Sequence, residues 1–249
     1  MTDLPSFADV NVRNGYNDLK SDLRWVLDFS GQFWNWPALS AITAPTISKL
    51  LAIHQQVQMT TDVAGSVCEF GTYILTKLKV IRHVLELSEK KRGGLFGFDH
   101  FKGYSRSSSP LGNEFDDNFP KIFEIQHPEL VRESLAKFNA AAEVIYGISQ
   151  HISLIEGELP SSYEQLSSTI ESISLCYFDL QDAEVMSKLV PLVLKKCNKG
   201  ALIVFEGYNL DFFPKTTLYI NSFIEETKSV RVLELERSIP FSKVLQVLD

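Results

Sequence analysis

Two acids sit at the ends of apolar stretches, where a strand would deliver them to a ligand. They are Glu69 in Ser66-Val-Cys-Glu-Phe-Gly-Thr-Tyr73 and Asp99 in Gly94-Leu-Phe-Gly-Phe-Asp99-His-Phe-Lys-Gly-Tyr104. In an open α/β sheet, ligands lie in the crevice beyond the carboxyl ends of the strands, where a glycine admits close backbone approach and an acid can hold ribose hydroxyls. Glu69 and Gly71 would close a first strand and Asp99 a second. Two further acids have the same placement: Asp179 follows the apolar run Ile173–Phe178, and Glu206 ends Gly200–Phe205. An acid at such a crevice can act as a general base or ligate a metal that lowers a hydroxyl pKa.

The elements that must position these acids are legible in the hydrophobic pattern. Ile74, Leu78, Ile81 and Leu85 recur at helical spacing, with Lys77, Lys79, Arg82, His83 and Glu86 on the other positions, which predicts an amphipathic helix stopped by Gly93-Gly94. Strand, helix and strand make one right-handed βαβ unit, with Gly71 and Asp99 on one sheet edge. The pattern continues with a helix from Pro128 through Ala142, a strand His151–Glu156 and a short helix Ser161–Thr169. Ile173–Phe178 is apolar throughout, as suits a central strand covered on both faces. A helix about Asp182–Lys196 contains Pro191, and the strand Gly200–Phe205 leads to Glu206. Either Asp179 or Asp182 could cap the helix between them. A helix near Pro214–Thr227 and strands at Val230–Leu235 and Val244–Leu248 complete the chain, the last two close enough in sequence to pair antiparallel.

The acid Asp99 lies 28 positions beyond Gly71, further than the roughly 20 of the dinucleotide fingerprint, and the G-x-G-x-x-G motif itself is missing. A pyrophosphate needs several close backbone approaches at a helix N-terminus, whereas S-adenosylmethionine has no phosphate and asks less of the loop. The residues therefore favour the methyl donor over a nicotinamide dinucleotide.

Four stretches also resemble the macrocin O-methyltransferase family of class I S-adenosylmethionine enzymes. They are Cys68-Glu69-Phe70-Gly71-Thr72-Tyr73; Gly97-Phe98-Asp99-His100-Phe101-Lys102-Gly103-Tyr104; Ile155-Glu156-Gly157-Glu158; and Tyr177-Phe178-Asp179 together with Ile203-Val204-Phe205-Glu206-Gly207-Tyr208. The resemblance spans about Thr46 to Glu236. It implies a Rossmann-like, doubly wound α/β sheet, mostly parallel with an antiparallel C-terminal strand, at residues 61–249, preceded by a helical extension at 1–60. It also implies methyl transfer to a hydroxyl of a sugar or glycosylated small molecule. Glu69, Gly71, Thr72, Tyr73, Asp99, His100, Gly157 and Glu158 are the implied cofactor residues, with Asp179 as catalytic base.

The chain departs from the family at three places. Leu75 replaces a glycine that helps seat the methionine end of the cofactor, and Gln181 and Gly207 replace two acids of the metal site. Asp179 and Glu206 are then the two carboxylates left for Mg2+. The same departures would suit a relative that keeps the fold for ligand or partner binding without turnover.

Composition agrees with one large α/β domain: 249 residues, 45% of them hydrophobic, approach the size at which single cores stop growing. The net charge of −7 argues against general nucleic-acid binding, which needs a basic surface. Cys68, Cys176 and Cys197 lack metal-ligand spacing and read as structural thiols. No apolar run reaches the ~18 residues of a membrane span, and the first residues show neither a basic nor an apolar leader pattern, so a cytoplasmic protein is expected. Trp25, Phe29 and Phe33 recur every four residues, either as a packing stripe, against this domain or in a homo-oligomer, or as a lid over the acceptor. Residues 102–126 read as a long loop, with His127 close enough to be considered as an alternative base.

Overall fold

The computed structural model describes residues 44–87, 93–103, 125, 127–146, 150–210, 213–235 and 241–249. The aromatic stripe at Trp25–Phe33 and the serine-rich and acidic stretches at 105–118 lie outside these residues. In chain order the elements are α1 (Ala44–Met59), β1 (Ser66–Phe70), α2 (Thr76–Leu87), β2 (Leu95–Asp99), α3 (Pro128–Tyr146), β3 (Ile152–Glu156), α4 (Ser161–Leu166), β4 (Ile173–Phe178), α5 (Ala183–Leu194), β5 (Cys197–Glu206), α6 (Pro214–Glu226), β6 (Val230–Leu233) and β7 (Ser242–Val247). The strands form one sheet in the order β3-β2-β1-β4-β5-β7-β6. Neighbours from β3 through β5 run parallel, whereas β7 is antiparallel to both β5 and β6. This is the doubly wound sheet with an antiparallel closing strand that the sequence predicts.

Side-chain alternation divides the strands between two cores. Val67, Leu175, Tyr177, Leu202 and Val204 face α1, α2 and α3, and pack with Ile53, Leu78, Ile81 and Leu135. Cys68, Phe70, Cys176, Phe178, Ile203 and Phe205 face the other way, onto Tyr163, Met186, Val190 and Ile220. On that second face the carboxyl ends of four adjacent strands each contribute one phenylalanine. Phe98, Phe70, Phe178 and Phe205 stack in a row with centroid spacings of 5.0, 4.9 and 5.3 Å. Aromatic pairs at such spacing add about 0.5–1.5 kcal/mol each beyond area burial, so the ladder locks the register of the edge that carries the acids. The period of two also fixes what lies opposite: Glu69, Tyr177 and Glu206 share the α1/α2 face.

Cys68 and Cys176 are buried and Cys197 is half-buried, all as free thiols. Burial pushes the Cys68 and Cys176 thiols well up, which makes them inert. None of the described helices is long and apolar enough to cross a membrane.

The edge strand β3 is protected by one side chain. Asn139 of α3 donates from Nδ2 to the Ile152 carbonyl at 3.0 Å and accepts from the Ile152 N–H at 3.1 Å, completing both backbone groups as a neighbouring strand would. Arg132, two turns earlier on the same face of α3, pairs with Glu156 at the other end of β3. Asn139→Ala is expected to cost about 1–3 kcal/mol in urea unfolding, since both Ile152 groups lose their partner. A loss below about 0.5 kcal/mol would show that water replaces the amide without penalty.

Candidate active site

The loop joining β1 to α2 has three left-handed residues within five: Gly71 (φ 84°), Tyr73 (φ 51°) and Leu75 (φ 63°). Each non-glycine in that region costs about 1–2 kcal/mol, and here the loop is held by side chains that offset the cost. Tyr73 N–H donates to Asp99 Oδ2 at 2.7 Å. Leu75 retains the backbone angle that favours glycine, and its fully buried side chain packs over Gly97, where a Cβ would come within 2.7 Å of it. The loop thus takes a left-handed turn at Leu75 without a glycine there. Gly71 serves a contact the sequence does not reveal: a Cβ there would stand 2.4 Å from the Asp179 carbonyl oxygen. The glycine is needed for strand ends β1 and β4 to meet, independently of any cofactor.

Asp99 ends β2 as expected, and its carboxylate is held on both oxygens. Tyr73 N–H reaches Oδ2, and Phe101 N–H reaches Oδ1 at 2.7 Å. Burial raises its pKa against backbone bonds from Phe101, Tyr73 and His100. A carboxylate accepts about four bonds in all, so beyond its backbone bonds from Tyr73, Phe101 and His100 Asp99 retains acceptor capacity for a ribose hydroxyl. Beside it, Gly157 N–H donates to the Asp99 carbonyl at 2.9 Å, which brings the β3 loop onto the same rim. Glu158 accepts from Lys102 Nζ at 2.6 Å and lies 4.0 Å from His100 Nε2. Thr72 Oγ1 is buried with no hydrogen-bond partner among the described residues. These residues fit a nucleoside with a ribose diol: a carboxylate with spare acceptor capacity and a buried hydroxyl without a partner among the described residues, all on one edge.

The other acids converge one strand away, around a residue that the amphipathic pattern of α2 places on its polar side. Lys77 is buried, and its Nζ lies 2.8 Å from Glu206 Oε1, 3.0 Å from Glu69 Oε1 and 3.7 Å from Asp179 Oδ2. The ammonium also stands 4.9 Å above the Tyr177 ring, whose hydroxyl donates to Gln56 Oε1 of α1 at 2.7 Å. Lys49 of α1 reaches the second Glu206 oxygen at 3.4 Å from the solvent side. Burial alone would lower the Lys77 pKa, but Glu206, Glu69 and Asp179 outweigh it and hold the amine charged. Glu69, expected from the resemblance as a cofactor residue, is paired with Lys77 in this cluster. Lys77 and Arg82 are the two charged residues of α2 that the helical pattern leaves outside and the fold buries.

Asp179 is the exposed member of this group, with 35% of its side chain accessible against 3–8% for Glu69, Lys77 and Glu206. It does not cap α5. Asp182 does, accepting from Glu184 N–H at 3.0 Å and Val185 N–H at 3.1 Å. Burial, then the neighbouring Glu206, push the Asp179 carboxyl up to about 6. Burial would also raise Glu206, yet Lys77 and Lys49 hold it down at about 2. Glu69 is pushed up to about 7, its burial outweighing Lys77. An acid with a pKa near 6 is well matched to accept a proton at neutral pH. His127, the alternative base, pairs instead with Glu129 at 2.9 Å on the surface.

These shifts set a pH dependence. The folded pKa values of Glu69 and Asp179 are raised, so their contributions are fully present below the unfolded pKa values and are lost as pH rises through about 6 and about 7. Glu206 is depressed, so its contribution is lost only as pH falls through about 2. Thermal stability is therefore expected to fall between about pH 4 and pH 7, and Glu69→Gln to flatten that slope. A midpoint that rises over the same interval would contradict the assignment.

The residues do not fit a divalent metal. Asp179 and Glu206 face one ammonium rather than an open position, and a second cation beside Lys77 would be repelled. Gln181 and Gly207 pack on each other. A Cβ at Gly207 would lie 2.1 Å from Gln181 Nε2, and that amide donates to the Glu206 carbonyl at 3.4 Å. Gln181 occupies the room that Gly207 leaves.

Comparison with known proteins places the fold. The chain resembles a calicheamicin methyltransferase, CalS11, at TM-score 0.67 and 17% identity, with 95% of this chain and 91% of that one aligned. The apo form of CalS11 is described as a TDP-rhamnose 3'-O-methyltransferase and matches at TM-score 0.64 and 17% identity over 95% and 92% of the two chains. The O-methyltransferase NovP aligns at TM-score 0.59 and 15% identity over 82% of this chain and 81% of its own. No family model matches the sequence, and no curated protein does. At these identities the likeness establishes the class I methyltransferase fold.

Proposed function

We propose that the chain is an S-adenosylmethionine-dependent O-methyltransferase that acts on a hydroxyl of a sugar or glycosylated small molecule. The observation that carries this reading is the placement of Asp99 and Asp179 on one carboxyl edge, at the ends of the two strands that flank β1. Asp99 would hold the ribose diol, with Gly71, Thr72 and Tyr73 beneath the nucleoside, and His100, Gly157 and Glu158 along its rim. When bound, S-adenosylmethionine supplies an electrophilic methyl group on a sulfonium. Asp179 would accept the proton of the acceptor hydroxyl as the hydroxyl oxygen bonds the methyl carbon in place of the sulfur, leaving a neutral thioether. Much of the acceleration comes from alignment, which can be worth ~7–11 kcal/mol. The sugar class is supported by the structural likeness to a protein described as a TDP-rhamnose 3'-O-methyltransferase.

Calorimetry tests the cofactor. S-Adenosylmethionine is expected to bind with a dissociation constant on the order of micromolar, about −8 kcal/mol, and NAD not at all. Binding of NAD in preference would reverse the reading. A second reading, a methyltransferase-fold protein that binds a ligand or partner without turnover, is favoured by Lys77 filling the acidic cluster and by the Gln181–Gly207 packing. It predicts cofactor binding but no methyl transfer to any glycoside hydroxyl.

A further inference from the structure

We infer that Lys77 is a built-in cation, standing where a divalent metal would otherwise be needed to hold Glu69, Asp179 and Glu206 together, so that the acceptor side of the crevice works without metal. Three acids from the adjacent strands β1, β4 and β5 converge within 3.7 Å of one buried nitrogen. Keeping such a cluster ionised in a poorly solvated site requires a cation; without one the carboxyls would take up protons instead. A divalent ion could do so at 2.0–2.6 Å from oxygen; here the separations of 2.8 and 3.0 Å are those of an ammonium. The lysine comes from the first turn of α2, whose start is fixed by the Gly71–Leu75 loop, so the cation arrives with the fold. Its charge is spent inside the cluster, and Asp179 alone faces outward. Lys77 is accordingly a positioning residue: it keeps Glu206 ionised and offsets part of the repulsion that Glu206 and Glu69 exert on Asp179.

The role assigned to this cation rests on the methyltransferase reading, but the ion pairs do not, and the decisive test needs no methyl donor. Mn2+ added to the full chain is followed by the electron paramagnetic resonance of the free ion. The wild-type chain is expected to leave the signal unchanged. Lys77→Ala is expected to take up one Mn2+ per chain and to melt at a higher temperature with the ion than without it, and a second substitution, Glu206→Gln, to abolish both effects. Stoichiometric Mn2+ uptake by the wild-type chain that Glu206→Gln removes would overturn the inference. So would a folded Lys77→Ala that binds none. Should Lys77→Ala and Lys77→Ser fold only with Mn2+ present, the inference is supported; should neither fold even then, it fails. In turnover, EDTA is expected to change nothing in the wild type. Lys77→Ala is expected to move the acidic limb of the pH profile upward, as Asp179 loses a favourable charge and keeps Glu206 and Glu69, with Lys49 the remaining cation near it among the described residues; Lys77→Arg is expected to restore the limb. Absence of turnover in every variant would count against the methyltransferase reading and leave the Mn2+ result standing.

Discussion

Asp179→Asn is expected to lower methyl transfer by about 10²–10⁴-fold, the usual contribution of a positioned general base, while S-adenosylmethionine affinity stays within about threefold. The substitution keeps size and polarity and removes the acceptor of the hydroxyl proton. Because burial and Glu206 push this carboxyl up to about 6, the wild-type rate should rise through a limb near that pH, and the limb should vanish in the variant. Misfolding is an unattractive explanation for such a loss: neutralising a carboxyl whose folded pKa is raised leaves the protein as stable or more so at neutral pH, which a thermal melt checks. Unchanged turnover would show that the proton goes elsewhere.

Asp99→Ala is expected to weaken S-adenosylmethionine binding by about 100-fold or more, because hydrogen bonds to a charged group contribute about 1.5–3 kcal/mol each. It removes two structural bonds as well, since Tyr73 N–H and Phe101 N–H both lose their acceptor. The strained Tyr73 backbone is then unsupported, and a stability loss of about 2–4 kcal/mol should accompany the binding loss. Asp99→Asn separates the two effects. Its amide oxygen preserves one backbone acceptor, so stability should recover in part while affinity for the diol does not. Retained affinity in both variants, measured by calorimetry, would remove Asp99 from the cofactor site.

What the sequence discloses follows the range of the interaction. Strand β4 is read residue for residue as Ile173–Phe178, because an uninterrupted apolar run suits a strand buried on both faces. A capping acid before α5 is legible because its partners lie two and three residues away, but the sequence offers both Asp179 and Asp182 and the fold selects Asp182. Strand β5 starts at Cys197, earlier than the apolar run suggests, since its polar beginning Cys197-Asn-Lys-Gly200 carries no alternation. Lys77 defeats the helical pattern for a different reason. Its partners lie at positions 69, 179 and 206, and nothing in the local period distinguishes a lysine that faces water from one that faces three acids. The signal was present in another form: three strand-end acids predicted for one crevice require a cation, and a lysine on the intervening helix can supply it. Gly71 is similar. Its conformation could be anticipated, but its contact with the Asp179 carbonyl could not, because it joins residues far apart in the chain. Gln181 and Gly207 look like two independent departures until the fold packs one against the other.

The account turns on a nucleoside bound at the edge of β1 and β2, with the acceptor side one strand away. A crystal structure of the chain with S-adenosylhomocysteine tests this most directly. The expected result is both ribose hydroxyls on the Asp99 carboxylate and the sulfur turned toward Asp179, with Lys77 still paired to Glu206. A nucleoside seated away from Asp99, or a crevice that stays closed to the ligand at saturating concentration, would contradict it.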